Sequence, residues 1–277
     1  MLSRLFVTIF PLRRDETSTA GLMFAYSFLA MTGYNVLRPV TRSKFITALG
    51  ADNLPYVLLI AGVLIAVVMQ GYSRFTRLVP GRWAIPGAQL AISAILVAFW
   101  LSFGSDAVWI SVAFYVFGLM LGILLISQFW TLANDLYDPR QAKRVFGFIG
   151  GGASLGGASG AAITALTVSR VGSDNLLLVS AVAIAACAAI VAAIVHRQPA
   201  DAAPAAPDEE TGVGGAEAIR LLGQSRHLQL ISIVIGFAAI GAAIIDQQLN
   251  MAAESMKGAD ATDAITGFLA QVSFYLS

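Results

Sequence analysis

Stretches of about 20 apolar residues recur at 18–38, 54–75, 83–104, 107–133, 145–169, 174–196 and 228–250, separated by short polar or glycine- and proline-containing joints. At a rise of about 1.5 Å per residue, each is long enough as a helix to cross a hydrocarbon layer of roughly 30 Å. An eighth stretch begins near Ile265 and meets the end of the sequence at Ser277. The pattern predicts an all-α integral membrane protein with many crossings.

The joints divide the chain. Residues 1–17 hold an apolar run of only six residues, Leu5 to Phe10, followed by Arg13 and Arg14. That is too short for a signal peptide and predicts an interfacial helix or cytoplasmic leader. Residues 18–196 form a bundle of six spans. Residues 197–227 read as a cytoplasmic linker, rich in Ala, Pro, Gly and acid, in which AEAIRLLGQSRHLQ predicts a short amphipathic helix on the membrane face. Residues 228–277 supply one to two further helices. Six spans, a polar linker and the start of another set is the layout of a transporter built from two six-helix halves, so a truncated chain is expected.

Composition agrees, with 57% hydrophobic and only 12% charged residues. What informs is where the charges stand. With the N-terminus in the cytoplasm, Arg4, Arg13, Arg14, Arg74, Arg77, Arg82, Arg140, Lys143, Arg144, Arg197, Arg220 and Arg226 fall inside, which is 12 of the 17 basic residues. This satisfies the positive-inside rule. Arg38, Arg42, Lys44, Arg170 and Lys257 fall outside, and the first three cluster. A net charge of +1 argues against a nucleic-acid partner. Cys187, the single cysteine, has no intrachain disulfide partner.

The outside cluster follows an apolar run directly, in MTGYNVLRPVTRSK. Asn35, Arg38 and Arg42 share one helix face, Tyr34 sits one turn before Arg38, and Pro39 predicts a kink. The result would be a bent helix end offering donors to an anion, or three cations reaching lipid headgroups. Near the end of the seventh span, Asp246, Gln247, Gln248 and Asn250 interrupt an apolar run, and Glu254 lies one turn beyond Asn250. Asp246 suits a coupling proton or an ion pair with Arg38. Gln70 and Gln89 read as helix-to-helix hydrogen bonds. In the fifth span Gly147, Gly151, Gly152, Gly156 and Gly160 include four-residue spacings that let two helices pack closely or slide. Asp135 and Asp138 stand before Arg140, Lys143 and Arg144, as a gate of breakable pairs or as a plain solvated helix end.

Neither His196 nor His227 has metal-ligand neighbours, and no phosphate-binding G-x-x-x-x-G-K-[ST] occurs, so no metal, cofactor or enzymatic activity is expected.

NVLRPV at the end of the first span, FWTLANDLYDPRQAKRVFGFIGGGASLGG across the fourth and fifth, and DQQLNMAA in the seventh resemble the ATP/ADP-translocase-like nucleotide transporters of bacteria and plastids, relatives of the major facilitator superfamily. The resemblance implies a major-facilitator-like six-helix N-terminal bundle plus the start of a second bundle, in a bacterial inner membrane. It implies exchange of a small anionic substrate such as ATP or ADP. Arg38 would then serve as a phosphate or gating cation, with Tyr34 and Asn35 as hydrogen-bonding neighbours. Gln128, Thr131 and Trp130 would line a nucleoside pocket, and Asp246, Gln247 and Asn250 would face the substrate from the seventh span. A facilitator of another small solute, or a non-transporting membrane scaffold or sensor of the same fold, fits the same residues.

Overall fold

The structure, a computed structural model, describes residues 17–78, 81–104, 107–197, 215–256 and 261–276. The predicted leader before Thr17, most of the linker and Lys257 lie outside the described residues, as do the side chains of Arg74, Arg77 and Arg82. Among the described residues the chain is helical almost throughout: α1 (Thr17–Leu49), a 3-10 turn (Ala51–Asn53), α2 (Leu54–Leu78), α3 (Gly81–Ser102), α4 (Val108–Leu136), α5 (Pro139–Val171), α6 (Ser173–Arg197), α7 (Gly215–Gln224), α8 (Arg226–Glu254) and α9 (Ala261–Leu276). Five of them, α1, α3, α4, α6 and α8, are by themselves long and apolar enough to cross a membrane.

Each predicted span falls on one helix, but the first ends later than expected. α1 continues through Pro39 to Leu49. Proline removes one backbone donor, yet the apolar face resumes at Val40, Phe45 and Ile46, all fully buried. The Thr41 and Ser43 hydroxyls donate back to the carbonyls of Arg38 (2.9 Å) and Val40 (3.0 Å). Arg38 is therefore in mid-helix and not at a helix end. The predicted amphipathic segment is divided: α7 stops at Gln224, and Ser225 caps α8, its hydroxyl accepting from the Leu228 amide at 3.4 Å.

α1 is the axis of the bundle. Its residues join α3, α4, α5 and α6 in the larger apolar core, which includes Met23, Tyr26, Leu37, Leu96, Phe114, Leu121, Ile149, Leu177 and Ile184. The approach of α5 to α1 depends on glycine. A Cβ on Gly152 would collide with Ser27 Oγ and one on Gly156 with the Phe28 carbonyl; on Gly160 it would lie 2.5 Å from the Thr32 carbonyl oxygen. Contact this close lets hydroxyls cross between the helices: Ser27 Oγ donates to Ile149 O (2.6 Å) and Thr32 Oγ1 to Gly156 O (3.2 Å). Gly147 and Gly151, from the same run, face open space, because α1 touches only one side of α5. On α6, Ser180 Oγ donates to Gly33 O at 2.8 Å.

Inside this core lies a polar cluster. Gln89 Nε2 donates to Tyr26 Oη (3.0 Å) and to Gln128 Oε1 (3.3 Å), all three side chains being buried, with Phe129 stacked on Tyr26. The cluster ties α1, α3 and α4 together.

Two outcomes are expected. Gly156→Val should lower stability by about 1–3 kcal/mol or prevent assembly, since backbone lies where the side chain must go, whereas Gly151→Ala should be near neutral. Thermal unfolding in detergent compares them. Gln128→Leu should cost about 1–3 kcal/mol by leaving Gln89 short of a partner, read in the same assay.

Candidate functional site

The face of α1 that carries Tyr34, Asn35, Arg38, Thr41 and Arg42 borders two cavities. One, of about 170 Å³, lies towards α8 and α9 and is lined by Asn35, Arg38, Arg42, Asp246 and Ser273 among others. The second, of about 120 Å³, lies towards α4 and is lined by Tyr34, Arg38, Thr41, Arg42, Tyr115 and Gly118 among others. Arg38 and Arg42 line both. α4 comes this near because a Cβ on Gly118 would lie 2.7 Å from Thr41 Cγ2, and one on Gly122 2.8 Å from the Tyr34 hydroxyl oxygen.

The two arginines are held differently. Arg42 is 15% exposed and its Nη1 lies 2.7 Å from Asp246 Oδ1 on α8. Arg38 is exposed and forms no ion pair among the described residues. The sequence offers Asp246 a coupling proton or an ion pair with Arg38; the pair is formed by Arg42, about 6 Å further along α1. Lys44 does not reach outward: its Nζ lies 2.5 Å from Asp174 Oδ1 at the start of α6 and 4.5 Å from the centre of the Phe103 ring.

Around these pairs, the last turns of α8 and the first of α9 close on the end of the bundle that contains Gly50. Gln247 Nε2 donates to Ala51 O (3.0 Å), and Glu254 Oε2 accepts from the Ala51 amide (2.9 Å). Gly50 (φ +84°) turns the chain there, and a Cβ on it would lie 3.2 Å from Glu254 Oε1. Asn250, 3% exposed, donates to Asp246 Oδ2 at 3.4 Å. From α9, Thr266 Oγ1 lies 2.5 Å from Ser43 Oγ and accepts from Ser173 Oγ at 2.8 Å, while Asp263 Oδ1 accepts from the Ser173 amide at 2.8 Å. A second apolar cluster, with Phe45, Ile46, Leu54, Tyr115, Ala253, Ile265 and Leu269, backs this seam. Towards the other end α8 separates from the bundle, every residue from Arg226 to Ile240 being exposed. Partly exposed pairs of this sort contribute about 0–1 kcal/mol each, so the seam can hold one state without making it permanent.

Of the residues singled out in the sequence, the structure gathers Tyr34, Asn35, Arg38 and Asp246 on the cavities, with Gln247 and Asn250 in the seam. Gln128 and Trp130 stand elsewhere. Gln128 belongs to the buried cluster, about 20 Å along α4 from Tyr115. Trp130 is 45% exposed and packs edge-on against Phe129 and Phe146, each at 5.3 Å. Asp138 is the N-cap of α5: its amide donates to Gln141 Oε1 at 3.2 Å in a capping box, which is why an acid occurs there. Neither Asp135 nor Asp138 pairs with Arg140 or Lys143 among the described residues. Arg42 and Lys44, at the opposite end, do form ion pairs that join separate helices. Tyr115, Thr41 and the small residues Gly118 and Gly122 were not picked out beforehand; the four-residue spacing of those two glycines was the available signal.

Residues 129–274, more than half of the chain, match the profile of the Major Facilitator Superfamily. No curated protein and no solved structure matches the chain. A helical, multi-pass membrane architecture, a charged helix at its axis and this match lead to one family: the chain belongs to the Major Facilitator Superfamily.

Proposed function

We propose that this protein is a secondary transporter of a small anionic metabolite, working by alternating access, with Arg38 as the cation that receives the cargo. Membership of the superfamily supports secondary transport in general. The observation that carries the anionic reading is Arg38 itself: a guanidinium lining two cavities with no carboxylate paired to it among the described residues, one turn from Arg42. A planar fork of donors suits phosphate and carboxylate. The resemblance of NVLRPV, FWTLANDLYDPRQAKRVFGFIGGGASLGG and DQQLNMAA to nucleotide exchangers makes ATP and ADP the first cargoes to test. With the N-terminus cytoplasmic, as the basic residues indicate, the Gly50 end faces outward and is the closed gate, and the splayed end of α8 faces the cytoplasm.

One observation favours a second reading. Asp246 projects into the larger cavity and offsets one of the two arginines, which would suit a zwitterionic or neutral solute carried by a facilitator of another class.

Uptake of labelled ATP and ADP into proteoliposomes separates these. The parent protein should accumulate label, and Arg38→Ala should reduce uptake about 10- to 100-fold, the value of a lost hydrogen-bonded charge, with its melting temperature retained. A folded parent that takes up neither nucleotide would remove nucleotide exchange, and uptake indifferent to Arg38 would remove this residue from the pathway.

A further inference from the structure

We propose, resting on the transport reading above, that the larger cavity takes a short aliphatic monocarboxylate. Its lining divides into a charged side and an aliphatic one. Asn35, Arg38, Arg42 and Asp246 make the first; Leu249 of α8 with Leu269 and Val272 of α9 make most of the second. No aromatic ring lines it among the described residues, so a nucleobase would find no stacking partner there. The rings of Tyr34 and Tyr115 belong to the smaller cavity, and about 120 Å³ is too little for a whole nucleotide.

Charge sets the valence of the ligand. Two guanidinium groups against one carboxylate leave a single positive charge in the larger cavity. A monoanion balances it. A nucleotide brings several negative charges, more than the site offsets, and a zwitterion leaves the positive charge standing. The ammonium of a zwitterion would also need an acceptor, and both oxygens of Asp246 are engaged, Oδ1 by Arg42 Nη1 at 2.7 Å and Oδ2 by Asn250 Nδ2 at 3.4 Å. The carboxylate of the ligand goes to Arg38, which has no ion-pair partner among the described residues.

The wall opposite the arginines asks for carbon. The Ser273 hydroxyl donates its proton to Leu269 O (2.8 Å) within its own helix, and Asn35 Nδ2 likewise donates to Met31 O (2.9 Å). What α9 presents to the ligand is therefore alkyl surface, against which an alkyl chain is favoured over a polar one. Size sets the length: about 170 Å³, below the roughly 300–1,000 Å³ of sites for drug-sized ligands, is room for a carboxylate with about three to five further carbons.

Binding at equilibrium tests this without requiring transport. The full chain in detergent is dialysed against labelled isovalerate, with detergent alone as the blank. The chain should retain label, butyrate should displace it comparably, and acetate, which lacks most of the alkyl chain, should compete at least about 10-fold more weakly. Valine, the zwitterion of the same carbon skeleton, and ATP should each be weaker by at least about 10-fold as well. Arg38→Ala should weaken isovalerate about 10- to 100-fold, and Val272→Thr should remove most of its advantage over acetate. Asp246→Asn adds one positive charge to the cavity, so succinate, a dianion of similar length, should overtake isovalerate in this variant alone. Each variant is compared with the parent only where its melting temperature is retained, and the competition series on the parent decides by itself where one is not.

Retention no greater than in detergent alone would overturn the proposal. So would acetate, valine or ATP competing as well as butyrate, or a preference for succinate already present in the parent. Uptake of labelled ATP, ADP and pyruvate into proteoliposomes, measured separately, tells whether the transport reading stands when isovalerate binding fails. Isovalerate bound by a chain that takes up none of the three would uphold the ligand class and remove transport.

Discussion

A helix carrying Arg38, Arg42 and Lys44 cannot lie against lipid at depth, and most of the structure answers that constraint. Arg42 and Lys44 are enclosed by protein and Arg38 opens on the cavities, so α4, α5 and α6 come close to α1, and each does so through small residues. Gly152, Gly156 and Gly160 open α5 to the α1 backbone, and Gly118 and Gly122 open α4 to Thr41 and Tyr34. On α6, Ala183 lies against Gly33, where an added Cβ would be 3.2 Å away. The apolar core is the result of this enclosure as much as its cause, because close approach buries Met23, Leu37 and Val40 on the other sides of the same helix.

The enclosure is unequal along α8. Up to Ile240 that helix is exposed on all sides, and only from Asp246 onward does it carry polar groups that find partners on α1 and the turn after it. An apolar helix gains little by exchanging lipid for another apolar surface, whereas hydrogen bonds and ion pairs have no equivalent in hydrocarbon. Attachment therefore concentrates where the sequence turns polar, and the first half of α8 makes no close contact with the described bundle.

The helices were legible from the sequence because hydrophobic run length sets them directly, and all eight long runs appear close to where they were expected. The end of α1 was misjudged because Pro39 was given more weight than the buried Val40, Phe45 and Ile46 beyond it. Arg38 and Asp246 were recognised as unusual from their apolar surroundings alone. Which arginine meets Asp246 was not legible, since it depends on the relative height of two helices separated by some two hundred residues. Gln128 was misplaced for a related reason: a polar residue in a span looks alike whether it meets cargo or another amide, and only the position of Gln89 distinguishes them. The acid before α5 reads as part of a gate or as a plain solvated helix end, and D-P-x-Q is the signature of a helix start, a role Asp138 has.

Two acids of the later helices complete turns that belong to earlier ones. Glu254 accepts the Ala51 amide after α1, and Asp263 accepts the Ser173 amide at the head of α6. Until α8 and α9 are in place both amides lack these carboxylates, and water at the membrane face is the partner open to them. Assembly therefore includes a late exchange of solvent for carboxylate at two places on the same rim. The earlier helices can insert before that exchange, but their turns become dry and fixed only when the later ones dock.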